Sequence, residues 1–481
     1  MGIKNKISEY YANLSLPVKA SFWYVISSVI QKGISFITTP IFTRLIPAEQ
    51  YGMLSVFSSW NSILGIVLTL NLSAGVYNNG ITKWPEARAS FTSSLQGLST
   101  TVTLFFLAVY CIAIPFWNSV FKLSSFYMLA IFAEALFTSA FSFWAASQRY
   151  DYKYLKLVIV SISIGVCSPL IGIIAVSLTN YKVEARVFSF VLVQVLVGIV
   201  LYIRSFVLGR SFFSLKYWKY ALAFNIPLIP HYLAQIILGS SDRIMISRMV
   251  GNKEAAIYDV AFVISSVTGL LTTAINNSFI PYTYKSLKND NLEKLRSIAS
   301  SLSVTIMIIC AIAMCFGPEI IRVVAPIEYY DARWVIPPVA ASMYFPFVRA
   351  FFANIEFFYE KTKFVMIASI SAAIINIILN YIFIGIFGYI AAAYTTLVCY
   401  VILMLLHYMM YKTICKSKGL KGMYNDRLIF GLGLLLVLFM VFITCLYDII
   451  ILRYSLVVLA LVIIIAKRKK IISIFQNLIM G

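Results

Sequence analysis

Runs of 18 or more mostly apolar residues recur from one end of the chain to the other, each parted from the next by a short polar or charged break. A helix rises about 1.5 Å per residue, so each run is long enough to cross about 30 Å of hydrocarbon. The first six, near 20–45, 52–78, 92–117, 123–147, 155–179 and 184–207, predict six membrane-crossing helices. Six more follow near 220–250, 255–281, 298–323, 333–359, 364–384 and 388–411, and a last pair near 427–447 and 450–466. The pattern predicts an all-α polytopic membrane protein with about 14 transmembrane helices. Its divisions are weakest in the polar segment 220–250 and between the final two spans, which only Tyr447 and Asp448 separate. Loops stay within about 20 residues, too short for an extramembrane catalytic domain.

Of the 481 residues 61% are hydrophobic and 12% charged, against about 25% charged in an ordinary soluble domain. Seven cysteines stand singly in apolar stretches, which argues against a disulfide framework. Two histidines leave little material for a His-built metal or nucleophile site. A net charge of +21 would suggest nucleic acid in a soluble protein. In a membrane protein Lys and Arg collect in the cytoplasmic loops instead, so nucleic acid is not an expected partner and membrane lipid is. With both termini placed in the cytoplasm, roughly 27 of the 39 basic residues fall inside and about 9 outside. The basic start, Lys4 and Lys6, leads into a run too long for a signal-peptide core, so that run reads as the first span. The closing Lys467-Arg468-Lys469-Lys470 reads as an anchor facing anionic lipid.

A weak internal repeat divides the spans. Shifting the chain by 204 residues superposes Thr43-Arg44-Leu45-Ile46 on Ser247-Arg248-Met249-Val250, and Gln31 on Gln235. The copies lie six spans apart, so both begin on the same side of the membrane, as in a parallel transporter repeat. The expected organisation is two pseudo-symmetric six-helix lobes, 1–216 and 217–413, followed by a C-terminal helix pair and basic tail at 414–481.

Charged groups inside the spans are the candidate chemistry. Burying one at the bilayer centre costs at least about 2.5–3.5 kcal/mol, and such groups face a cavity or a partner. Lys32 lies at the middle of span 1, Arg349 deep in span 10 and Arg243 in the outer half of span 7. Glu134, Asp242, Asp259 and Glu356 are the intramembrane acids, and with His231 they are candidates for ion pairing or ion coupling. Asp242 and Arg243 are adjacent, hence about 100° apart around the helix, and do not share a face. Glu356 stands two turns from Arg349, too far for direct contact. The alternative reading is that the charges only hold helices together in pairs, Lys32 with an acid such as Glu134. Three cations from different helices otherwise suggest a water-filled cationic cavity for an anion. Prolines are expected to interrupt the same three spans, at Pro40, at Pro227 and Pro230, and at Pro337, Pro338 and Pro346. His407, near the end of span 12, carries no expected role.

The segments SSVIQKGISFITTPIFTRLIPAEQYG in span 1 and NIPLIPHYLAQIILGSSDRIMISRMVG in span 7, continued by AAIYDVAFVISS, resemble Wzx-type oligosaccharide flippases. These belong to the multidrug/oligosaccharidyl-lipid/polysaccharide exporter superfamily. The resemblance implies two six-helix lobes, a cationic cavity and alternating access that moves undecaprenyl-diphosphate-linked repeat units of O-antigen or capsule across the bacterial inner membrane. By motif it carries Lys32, Arg44, Asp242 and Arg243 as functional charges, while Arg349 enters on its depth alone. Spans 13 and 14 are like the extra pair of the lipid II flippases. No catalytic residue, metal or cofactor is expected, and the chain is read as a transporter rather than an enzyme. Exporting an anion from a negative interior is downhill by about 2.3 kcal/mol per charge per 100 mV, so the membrane potential is the expected drive. Whether H+ or Na+ is also coupled stays open. A monomer is expected to suffice, with a polysaccharide polymerase and a chain-length regulator as further candidate partners. The alternatives are a lipid II or drug/cation exporter of the same superfamily, or a membrane-embedded polysaccharide polymerase.

Overall fold

Backbone amides in hydrocarbon have no water to bond, so each span must satisfy them within its own helix. The computed structural model describes residues 16–289, 292–420, 423–455 and Val458, and among these it contains helices and no strand. Thirteen of the helices are long and apolar enough to cross a membrane. The fourteenth expected span, 450–466, and the tail at 467–470 lie largely or wholly outside the described residues, as do Lys4 and Lys6.

The chain forms two compact units, Met1–Ile244 and Met245–Gly481. The first contains α1 (Leu16–Leu45), α2 (Ala48–Thr69), α3 (Val76–Lys83), α4 (Arg88–Ile112), α5 (Ile114–Phe121), α6 (Ser125–Tyr150), α7 (Tyr154–Leu178), α8 (Lys182–Gly209) and α9 (Leu215–Asn225). A single 3-10 turn, Ile226–Leu228, leads into α10 (Ile229–Met249), which ends in the second unit. The second continues with α11 (Asn252–Lys288), α12 (Leu292–Cys315), α13 (Gly317–Val324), a 3-10 segment Ile327–Trp334, α14 (Ile336–Ser342), α15 (Tyr344–Phe358), α16 (Thr362–Phe387), α17 (Ala391–Lys418) and α18 (Asp426–Cys445).

Element starts carry the repeat further than the residue matches do. Ala48 and Asn252, Arg88 and Leu292, and Ile114 and Gly317 open corresponding helices at offsets of 204, 204 and 203. After the longer connection from Val324 to Ile336 the offset widens to 208 at Tyr154 and Thr362. The short helices α5 and α13 match in detail, each eight residues long with a proline in its first turn, where the missing N–H costs nothing. The copies differ after span 2. In the first unit the helix stops at Thr69, Leu70 and Asn71 take left-handed backbone angles, and Gly75 does so again before α3. Its counterpart α11 runs unbroken for 37 residues.

The prolines follow the expectation in span 7 and depart from it in spans 1 and 10. Pro40 sits inside α1 without breaking it. Pro227 lies in the 3-10 turn that tightens span 7. Pro337 and Pro338 open α14 rather than interrupting a span, because a first turn needs no N–H from them. The break in span 10 comes at Met343, between α14 and α15 and ahead of Pro346.

Packing within each unit follows small residues and aromatics. In the first, Phe57, Tyr127, Ile131 and Val187 join one cluster, and Tyr77, Phe91, Leu95 and Phe143 another. Gly198 of α8 lies so close to α6 that an added Cβ would stand 2.6 Å from the Phe137 carbonyl oxygen. In the second unit α15 is the central helix, with Tyr344, Phe347, Val348, Phe351, Phe352 and Ile355 all buried. Arg453, 2% exposed, pairs with Glu319 of α13, which also accepts from the Tyr454 hydroxyl at 3.0 Å. Those contacts, with Tyr447 donating to the Met314 carbonyl at 2.6 Å, fasten the chain after α18 to the region around α13.

Candidate functional site

In the first unit the candidate charges divide between an exposed and an enclosed set. Lys32 is exposed on α1, a helix that packs chiefly on α7, and among the described residues nothing bonds its ammonium group. Arg44, at the last turn of α1, is exposed and its Nη1 donates to the Pro40 carbonyl at 2.8 Å. A cation there suits the negative end of the helix dipole. The same helix end is held from α8, where the Lys182 Nζ donates to the Leu45 carbonyl at 2.6 Å. Arg186, one turn further on, lays its guanidinium 4.3 Å from the Phe42 ring centre.

Glu134 of α6 opens onto a cavity of about 400 Å³ whose wall includes Asn61, Ser99, Thr138 and Ser139. Its Oε2 accepts from the Asn61 Nδ2 at 2.6 Å. The partner of Glu134 is therefore an amide on α2, and the Lys32–Glu134 pair considered from the sequence does not form. Asp242 and Arg243 are both buried on α10, and the Arg243 Nη1 donates to the Gly239 carbonyl one turn back. Such a bond spends part of the guanidinium on its own helix. His231 is half-buried at the start of α10, its ring 6.0 Å from that of Tyr232.

In the second unit Asp259 is half-buried on α11. Arg349 is half-buried on α15, with its Nε enclosed and unbonded among the described residues. Glu356, also on α15, is fully buried, and its partner is His407 of α17, Nδ1 to Oε2 at 2.7 Å. That corrects the reading of His407 as a residue without a role. Fifty-one positions separate the two, so no local spacing announces the pair. A further polar layer, also not anticipated, joins α16 to α17, where Asn376 Nδ2 donates to Thr396 Oγ1 and Asn380 Nδ2 to Asn376 Oδ1, each at 3.3 Å. Among the described residues no group of three or more His, Cys, Asp or Glu side chains could hold a metal ion.

Among the described residues each unit carries cations and acids on its span-length helices, an arrangement suited to binding a charged ligand. Comparison with known proteins gives the same class. The model of the polysaccharide biosynthesis protein family matches residues 18–287, and the MatE family model matches 227–382. "Lsg locus putative protein 1" of Haemophilus influenzae is 22% identical over 376 residues, 75% of this chain and 89% of that protein. Among solved structures, the lipid II flippase MurJ in an inward closed conformation aligns over 94% of this chain and all of its own, with TM-score 0.67 and 16% identity. An inward-facing multidrug resistance MATE family transporter covers 80% of this chain and 96% of its own, with TM-score 0.58 and 13% identity. These families and neighbours are transporters and flippases rather than enzymes. With a family model spanning more than half of its residues, the chain belongs to the polysaccharide biosynthesis protein family, the Wzx-type flippases of the multidrug/oligosaccharidyl-lipid/polysaccharide exporter superfamily.

Proposed function

We propose that this membrane flippase carries undecaprenyl-diphosphate-linked oligosaccharide repeat units from the cytoplasmic to the outer leaflet of the bacterial inner membrane. The observation that carries the reading is the family match over 18–287, the stretch that holds Lys32, Arg44, Asp242 and Arg243. A diphosphate needs cations where the dielectric is low, since pairing is stronger there than in water. Lys32, Arg44 and Arg243 are the candidate cations in the first unit and Arg349 in the second, while the lipid tail stays in the bilayer. The membrane potential drives export of the anionic head group, and the intramembrane acids are the candidate sites for H+ or Na+ coupling. One chain suffices, and the polymerase and chain-length regulator act on the delivered units. Purified protein in liposomes loaded with undecaprenyl-diphosphate-linked oligosaccharide tests this. Sugar should become accessible to an external lectin faster than in empty liposomes, and faster still with an imposed potential. Equal rates with and without protein, alongside transport of lipid II or of a cationic drug, would replace this reading by one of the sister activities.

A further inference from the structure

A cavity of about 610 Å³ opens where α17 ends and α18 begins, wholly within the second unit. Its floor is formed by buried Tyr411, Cys415 and Tyr424, and its rim by Arg296 of α12, Lys412 of α17 and Arg427 of α18. Lys412 is already engaged. Its Nζ lies 3.0 Å from the Asp426 Oδ2, which also accepts from the Tyr408 hydroxyl at 3.0 Å. Lys412 and Asp426 therefore cancel, and the charge left to the cavity is that of the two arginines. Both are exposed, and among the described residues neither makes a hydrogen bond or ion pair.

Asp426 shares the lining, its Oδ2 taken by Lys412 and Tyr408, so Arg296 and Arg427 leave a net positive charge beside one opening, matched by an oxyanion that takes paired N–H donors. The backbone adds to this. The first turn of α18 borders the cavity through Asn425, Asp426 and Arg427, and only the Leu428 N–H is taken up by the Asn425 side chain. N–H groups in a first helical turn lack intrahelical partners and favour a phosphate. α18 itself is a membrane span, and past its first turns it presents exposed Leu434, Leu435, Leu438 and Phe442. An anion held at the mouth of such a helix sits at the depth of the lipid phosphates, with an apolar surface continuing into the bilayer.

We propose that this cavity is a binding site for the phosphate head of a membrane lipid, gripped by Arg296 and Arg427 at the start of α18. Two lipids carry that chemistry: an anionic phospholipid of the surrounding leaflet, and a polyprenyl phosphate or diphosphate. The site is separate from the intramembrane charges of the transport reading. Its test measures retained lipid and not flipping, so either idea can fail alone.

The experiment is native mass spectrometry of the full-length protein in detergent, titrated with phosphatidylglycerol, undecaprenyl phosphate or zwitterionic phosphatidylcholine. The variants are the pair Arg296→Gln and Arg427→Gln, and a control pair Lys285→Gln and Lys288→Gln. The control cations are exposed near the same end of the unit, at the close of α11. The arginine pair should lose about tenfold in affinity for one or both phosphate lipids, the control less than about twofold. Whichever lipid loses binding is the source, and phosphatidylcholine should be retained weakly throughout. Equal retention by the arginine pair and the unmodified protein overturns the site. So does an equal loss in the control, which would mean diffuse attraction of basic residues to anionic lipid. Should the glutamine pair fail to fold, Arg296→Lys with Arg427→Lys keeps the charge and loses the planar fork. Weakened binding supports the assignment, and unchanged binding removes it.

Discussion

The Glu356 carboxylate and the His407 imidazole meet at 2.7 Å with both side chains fully buried, tying α15, the central helix of the second unit, to α17. Neither group can turn to water if the other is removed. Breaking a buried pair by deleting one partner costs about 3–5 kcal/mol. Glu356→Gln alone and His407→Ala alone should lower the thermal unfolding midpoint of the purified protein. Glu356→Gln combined with His407→Gln should recover a large part of the loss. Single variants as stable as the unmodified protein would mean that the pair is dispensable to the fold.

Lys32 calls for the opposite outcome. Glu134 already accepts from Asn61, so neutralising Lys32 strands no acid among the described residues. Lys32→Ala should leave abundance in the membrane near normal while abolishing surface polysaccharide in a complementation assay. Lys32→Arg should keep part of the activity, because charge survives while shape and reach change. Full activity of the alanine variant, or rescue by adding Glu134→Gln, would remove Lys32 from the substrate path.

Close approach of α6 and α8 rests on a missing side chain. A Cβ on Gly198 would stand 2.6 Å from the backbone oxygen of Phe137, and backbone cannot rotate aside. Small residues at such contacts are how membrane helices come together. Gly198→Ala should therefore reduce the yield of monodisperse protein, and Gly198→Leu should reduce it further. Normal yield from the leucine variant would show that the two helices can separate at little cost.

Between α6 and α7 the Asp151 carboxylate receives Arg88 at 2.9 Å and Lys153 at 3.2 Å. Burial pushes its pKa up, but these hydrogen bonds and charges outweigh burial and hold it below the ordinary carboxylate value. A folded-state pKa below the unfolded one stabilises the protein above the unfolded pKa, about 3.9 for Asp, and that contribution is lost as pH falls through the folded value. Asp151→Asn should thus lower the unfolding midpoint slightly at pH 7, with the difference shrinking as the pH falls below the unfolded value toward the lowered folded one. A difference that stays constant down to pH 3 would count against the ion-pair origin.

Orientation can be read by labelling. Lys122 and Lys418 are both exposed outside the apolar stretches of their helices. In a background lacking the seven native cysteines, Lys418→Cys should react only after the membrane is permeabilised and Lys122→Cys in intact cells. The reverse pattern would invert the proposed topology.

What the chain discloses about itself follows from the solvent it sits in. Hydrocarbon demands long apolar helices, so thirteen spans were legible to within several residues, from Phe22–Leu45 to Asp426–Cys445. Short helices were not, because α3, α5 and α13 have eight residues each and no span-length signature. Charges at membrane depth stood out individually, but their partners did not. Asn61 lies 73 residues from Glu134 and His407 51 from Glu356, pairings set by packing between helices and not by spacing along one. The repeat showed the reverse. Five residues, Gln31 and Thr43 to Ile46, carried it in the sequence, whereas the positions at which helices begin carry it through most of both units.

The difference between the two copies after span 2 has a mechanical meaning. At 1.5 Å per residue α11 is about 55 Å long, while the hydrocarbon core is about 30 Å thick, so even when tilted it is long enough to project beyond the hydrocarbon. Its counterpart α2 is about 33 Å long and hands over, through the positive-φ residues Leu70, Asn71 and Gly75, to the separate helix α3. A rod that is part embedded and part in water works as a handle: a rotation of its lipid-buried portion sweeps its far end through an arc. A fluorophore at Lys288 would therefore report motion deep in the second unit, whereas the equivalent label on α3 would register only what the joint at Gly75 lets through.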